Sequence, residues 1–142
     1  MPVRMDLARI IIRETGDSQI IVLKERDGPR HFPILIGISE AMAIERHVKD
    51  VSTPRPLTHD LLARIIESLD GELTRIVISD LKDHTFYATL MIRRNGEMIS
   101  VDARPSDAIA LGVMNNTPIF VEEEVLKAVC FPEESEESDT DN

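Results

Sequence analysis

Two short stretches of the chain concentrate side chains able to do chemistry. "VDARPSDAIALG", Val101 to Gly112, carries Asp102, Arg104, Ser106 and Asp107, and "RPLTHDLL", Arg55 to Leu62, carries Arg55, His59 and Asp60. Glu40, in "SEAMAIERHVKD", adds a further carboxylate. Metal-assisted cleavage of a phosphodiester calls on this mixture: carboxylates to hold Mg2+ or Mn2+, arginines to offset developing charge, and a group that orients water or moves its proton. On that chemistry Asp102, Asp107, His59 and Asp60 are the candidate catalytic residues. Asp102, Asp107 and Glu40 are the candidate metal ligands, and Arg55, Arg104 and Ser106 the candidate phosphate contacts.

The same residues have a plainer account. Ser106 is a natural helix N-cap, Asp107 suits the positive end of the helix dipole, and an Asp102–Arg104 ion pair would fix the corner between strand and helix. Strand alternation puts Met98, Ser100 and Asp102 on one side of "EMISVDA" and Ile99, Val101 and Ala103 on the other. Pro105 keeps Arg104 extended, so Arg104 is expected on the side of Asp102, about 7 Å further along the strand. A solvent-facing histidine is the plain account of His59, although its near-neutral intrinsic pKa suits an acid, a base or a metal ligand. Asp80, Asp83 and His84 form another polar group, which a solvated turn explains.

The elements that position these residues follow from patterning. "MDLARIIIR" and "QIIVLK" flank a turn-forming "ETGDS" and predict a hairpin, extended by "HFPILIG", where Pro33 calls for an edge or a bulge. A helix is expected over Glu40 to Asp50, capped by Ser39, and a second over "HDLLARIIESL", capped by Thr58, stapled by Leu57 on Leu62 and ended at Gly71. Three strands follow, "ELTRIVIS", "TFYATLMIRR" and "EMISVDA", the last two joined by the hairpin turn Asn95-Gly96. In the middle strand Phe86, Ala88, Leu90 and Ile92 share the core face. The helix "SDAIALGVMN", the strand "PIFV" and the helix "EEEVLKAV" complete the order βββαα, βββα, βα. This is an α+β domain with a mostly antiparallel sheet of two meanders and helices between and after them. The two Arg-Pro segments, each opening a helix, are compatible with a short internal duplication.

Length and composition bound the rest. The 142 residues, 42% of them hydrophobic, suit one domain with one core, here residues 1–131. Six of the 26 acids lie in "PEESEESDTDN", residues 132–142, which reads as a disordered acidic tail. The remainder has 20 acids against 16 bases, a formal charge of −4, which argues against a broad, sequence-independent grip on nucleic acid. An aromatic stacking run is also missing, since Phe86 and Tyr87 alternate faces. A lone cysteine, Cys130, excludes an intrachain disulfide and reads as a partly buried apolar residue. With neither a membrane-length apolar run nor a signal-peptide pattern, a cytoplasmic protein is expected. No Rossmann or P-loop glycine pattern occurs.

At "FPILIGISEAMAI", "RPLTHDLL", "TFYATLMI" and "VDARPSDAIALG" the chain resembles the bifunctional nuclease domain family, and the order and spacing of these segments extend the likeness over most of Met5 to Lys127. The resemblance implies an α+β domain that hydrolyses both RNA and DNA, with nucleic acid as substrate. It marks Glu40, Arg55, His59, Asp60, Asp102, Arg104, Ser106 and Asp107 as matching positions. The expectation is a divalent-metal-assisted nuclease, homo-oligomeric and without membrane association. Two alternatives stand beside it: a non-catalytic oligomeric module whose Arg-Pro corners bind an anion or a partner, and a sensor of a small acid or phosphate.

Overall fold

The computed structural model describes residues 1–13, 15–16 and 18–130; the acidic segment expected at 132–142 lies outside them. The elements are β1 (Pro2–Ile11), β2 (Gln19–Glu25), β3 (His31–Ile36), α1 (Ile38–Val48), α2 (Thr58–Ser68), β4 (Gly71–Lys82), β5 (Thr85–Arg94), β6 (Glu97–Ala103), α3 (Pro105–Met114), β7 (Ile119–Glu122) and α4 (Glu123–Val129). The order matches the expected one, and the class is α+β. The two meanders belong to one sheet, as expected. Short β7 lies between them, antiparallel to β1 and parallel to β4, and closes a seven-stranded sheet in the order β3-β2-β1-β7-β4-β5-β6. Pro33 is on the edge strand β3, where its missing N–H costs no ladder bond.

Alternation decides which face is core. Phe32, Ile34 and Ile36 of β3, Ile21 and Leu23 of β2, Ile76 and Ile78 of β4, and Ala88 and Leu90 of β5 join one apolar cluster with Ala41 and Ile44 of α1, Ile109 and Leu111 of α3, and Val125 and Leu126 of α4. Between the buried residues of β3, Leu35 points the other way and stays exposed. Phe32 and Phe86 touch, with ring centroids 5.7 Å apart. Their strands are five steps apart in the sheet, on the order of 24 Å if it were flat, so the sheet must curl strongly to bring them together. α3 sits at the centre: Ala108, Ile109, Ala110, Leu111 and Gly112 are all buried, and α1, α2, β4 and β5 pack around it.

Several local expectations change. α1 starts at Ile38 with Gly37 as N-cap, α2 starts at Thr58 with Leu57 as N-cap, and α3 starts at Pro105 with Arg104 as N-cap. Thus Ser39, Thr58 and Ser106 each fall one or two residues inside the helix rather than at its cap. Proline at the first helical position needs no N–H partner, and it moves the start of α3 ahead of Ser106. Leu57 and Leu62, expected to staple α2, both remain exposed. The reversal after α2 is made by Asp70, at φ 62°, while Gly71 opens β4; a Cβ there would come within 3.1 Å of the Ile66 carbonyl oxygen.

One clamp was not expected. Arg30, in the turn before β3, holds Glu25 at the end of β2 and Glu123 at the start of α4, tying the last helix to the first hairpin. The Arg30 hydrogen bonds hold both carboxyls below their ordinary value, and Arg30 is itself raised, first by Glu123 and then by Glu25. Burial pushes the half-buried Cys130 thiol up. A carboxyl depressed in the folded state contributes stability above its unfolded pKa, near 4.5, and loses it as pH falls through the depressed value. Glu25→Gln should therefore lower the melting temperature at pH 7, and the gap to wild type should shrink steadily below pH 4.5. Thermal melts across pH 3 to 7 check this; a gap independent of pH would contradict it.

Candidate active site

α1, α2 and α3 begin close together, and each has an acid at its third helical position: Glu40, Asp60 and Asp107. The first-turn position is where unpaired backbone N–H groups favour negative charge. The three acids are then used differently. Asp60 turns back on its own helix and accepts the Leu57 N–H at 3.1 Å, an ordinary cap. Glu40 and Asp107 instead point at a common cation, Arg104.

Arg104 is extended at φ −69° and ψ 143°, as the following proline requires. Its Nε donates to Asp107 Oδ2 at 3.0 Å and its Nη2 donates to Glu40 Oε1 at 2.8 Å, with Nη2 also 2.8 Å from Asp107 Oδ2 in an ion pair. These bonds raise the guanidinium pKa, the Asp107 hydrogen bond contributing most. Asp107 keeps Oδ1 for His59, whose Nε2 lies 3.0 Å away. An ionised carboxylate only accepts, so Nε2 carries the proton, and Nδ1 of the neutral ring keeps its lone pair. Among the described residues the four side chains form a continuous line, Glu40–Arg104–Asp107–His59, linking the starts of three helices.

Burial grades along this line. Glu40 and His59 are each 9% exposed, whereas the Arg104 side chain is 68% exposed. Its Nη1 makes no hydrogen bond among the described residues, so one edge of the guanidinium stays available beside the buried pair. The Glu40 position also depends on a residue the motif reading passed over. A Cβ on Gly37 would fall 2.5 Å from Glu40 Oε2, too close for any real contact. Gly37 has an ordinary φ of −77°, so the requirement is for space and not for an unusual backbone.

The other expected residues sit differently. Asp102 lies on the exposed edge strand β6, opposite Thr89, and its side chain makes no hydrogen bond or ion pair among the described residues. The ion pair considered between Asp102 and Arg104 is replaced by the pairs of Arg104 with Asp107 and Glu40, because Arg104 already stands at the helix start that bears Asp107. β6 is exposed on both faces up to Val101 and Asp102, so neither side of it is core. Ser106 is buried at the second position of α3, the place His59 holds in α2. Arg55 is exposed in the proline loop and lines a cavity of about 390 Å³ together with His59 and Asp60.

The motifs suggested a site for Mg2+ or Mn2+. The Arg104 guanidinium lies between Glu40 and Asp107, where a shared cation would have to go, and Asp102 is not part of the line. Among the described residues no group of three His, Cys, Asp or Glu side chains is arranged to hold a metal ion. As placed, this donor set does not fit the ion.

The bifunctional nuclease domain matches over residues 21–134, and the chain belongs to that family. Uncharacterized proteins from two strains of Mycobacterium tuberculosis are 42% identical over 133 residues, which is 92% of this chain and 79% of each relative. Bifunctional nuclease 1 of Oryza sativa subsp. japonica is 25% identical over 114 residues, 78% of this chain and 34% of that protein. Bifunctional nuclease 1 of Arabidopsis thaliana is 27% identical over 105 residues, 71% of this chain and 32% of that protein. Among the described residues no helix is long and apolar enough to cross a membrane.

The Gly37–Glu40 contact makes a separable prediction. Gly37→Ala should displace the Glu40 carboxylate from Arg104 and lower stability by about 1 kcal/mol, and most of that loss should vanish in a Glu40→Ala background, where the clashing carboxylate is gone. Denaturant melts of the two single variants and the double variant measure the coupling. Additive losses would contradict the contact.

Proposed function

We propose that the domain hydrolyses phosphodiester bonds of RNA and DNA, with His59 as the proton-transfer residue and Asp107 as its orienting partner. The observation that carries this reading is the His59 Nε2 bond to Asp107 Oδ1, which leaves Nδ1 as a base. The family, and the bifunctional nucleases of rice and Arabidopsis that the chain resembles, support nucleic acid as the substrate class. A substrate set that includes DNA makes water the nucleophile, since deoxyribose offers no 2′-hydroxyl. Water attacks phosphorus as Nδ1 takes its proton; the P–O bond to the leaving sugar oxygen breaks, and that oxygen takes a proton from the imidazolium or from solvent. Asp107 steadies the imidazolium, and Arg104 in turn holds Asp107.

Charge decides which arginine serves the phosphate. Glu40, Arg104 and Asp107 together carry one net negative charge, so Arg104 offers an anion only its free edge. Arg55 has no carboxylate partner among the described residues and lines the cavity beside His59, so it supplies the uncompensated charge. Asp60 acts as a cap in this scheme and Ser106 supports the start of α3. His59→Ala and Asp107→Asn should each lower turnover about 10²- to 10⁴-fold on single-stranded RNA and DNA while remaining folded. Assays run in Mg2+, in Mn2+ and in EDTA, with Asp102→Ala alongside, decide between this scheme and a metal-assisted one. Activity unchanged in both His59→Ala and Asp107→Asn would remove the proposal.

A second reading, self-association, rests on a different face of α2. Leu57, Leu61, Leu62, Ile65 and Leu69 recur at helical spacing and are 39–55% exposed, while Ala63 and Ile66 turn inward to the core. We infer that a second copy of the chain covers this strip, and that the oligomeric form does not require the nuclease chemistry. Sedimentation of wild type against Leu61→Glu/Ile65→Glu should show an oligomer becoming a folded monomer. A monomeric wild type at micromolar concentration would contradict it.

A further inference from the structure

The 390 Å³ cavity beside His59 holds more positive charge than the nuclease scheme uses. It is walled by the second half of α1, the proline loop 51–57, α2 and the end of α3. Arg46, Arg55 and Arg64 all line it, with His47 next to Arg46 and Asp60 as the sole acid. None of the three guanidiniums has a hydrogen bond to a carboxylate or an ion pair among the described residues, and Asp60 is engaged with the Leu57 N–H. Arg104, beside the cavity, differs from these three in being paired with both Asp107 and Glu40.

Arg46 and His47 stand in the last turn of α1, where a cation suits the helix dipole, so they alone would need no ligand. Arg55 and Arg64 have no such excuse. Arg64 is in the middle of α2, one turn after Asp60, and Arg55 is in a loop stiffened by Pro54 and Pro56 and by the Thr53 hydroxyl donating to the Arg55 carbonyl at 2.7 Å. Three like charges drawn around one hollow repel each other, a cost that an anion bound between them reverses. The volume lies near the lower bound of small-ligand sites, about 300 Å³, enough for a single nucleotide and too small for a duplex.

We propose that this cavity is a subsite for the phosphate of a nucleoside monophosphate, with Arg46, Arg55 and Arg64 as its charge and His59 at its inner wall. The assignment of the anion to a nucleotide rests on the nuclease reading; the existence of an anion site does not. Arg46 and Arg64 thereby become binding residues that neither Arg-Pro motif contains.

The test is equilibrium binding to the full chain by calorimetry and by amide chemical-shift mapping, with 5′-AMP, orthophosphate and adenosine as the three probes. 5′-AMP should bind, with shifts confined to residues of the α1 end, the loop 51–57 and α2; adenosine should bind at least tenfold more weakly. Arg46→Gln/Arg64→Gln, checked for an unchanged melting profile, should weaken 5′-AMP at least tenfold. Orthophosphate binding as tightly as 5′-AMP would overturn the nucleotide assignment, and 5′-AMP shifts mapping elsewhere, or unaffected by the double variant, would overturn the site. The Asp107→Asn protein separates the two readings: retained 5′-AMP binding with no hydrolysis by any form of the protein supports the cavity and rejects the nuclease, whereas hydrolysis without 5′-AMP binding rejects the cavity alone.

Discussion

The guanidinium of Arg104, held between Asp107 and Glu40, is the interaction on which the site depends. It is the only cation in the line, and it lets two carboxylates from different helices approach one another without an uncompensated repulsion. Everything around it serves that approach. Pro105 keeps Arg104 extended at the end of β6, Gly37 leaves room for the Glu40 carboxylate, and the buried body of α3 fixes where Asp107 starts. With one Asp107 oxygen taken by Arg104, the other is aimed at His59, so the tautomer of the imidazole is set by an ion pair one residue away.

The curled sheet explains how residues so far apart in sequence meet. β7 inserted between the meanders draws the two halves into one surface, and the Phe32–Phe86 contact shows how strongly it bends. α3 lies in the resulting hollow with apolar residues all round, and α1 and α2 lean on it. A helix buried on every side can expose chemistry only at its ends. That is why the polar residues of "VDARPSD" gather at the N-terminus of α3 while "AIALG" disappears into the core.

Much of this was legible in the chain. Alternation in Phe86, Ala88, Leu90 and Ile92, the Asn95-Gly96 turn and the 3.6-residue spacing in α1 carry local information, and those elements stand where they were expected, within a few residues at each end. The position of β7 and the partner of Arg104 were not legible, because both depend on which distant elements pack together. Asp102 sits two residues from Arg104 and was its obvious partner, yet Glu40, 64 positions away, takes that role with Asp107. Residue types pointed to a phosphate and proton chemistry around Glu40, Arg55, His59, Arg104 and Asp107; only the fold shows that Glu40 pairs with Arg104, that Asp60 caps its own helix, and that Arg46 and Arg64 line the adjoining hollow.

In the proposed nuclease chemistry His59, in its hydrogen bond to Asp107, is the group whose protonation controls catalysis. The most direct measurement follows the His59 ring by NMR through a pH titration and compares its midpoint with the pH dependence of kcat/KM for single-stranded RNA in the same protein and buffer. The account predicts that the acidic limb of the rate profile coincides with the His59 midpoint, and that both move together in Asp107→Asn. A rate profile that stays fixed while the His59 midpoint moves would contradict it.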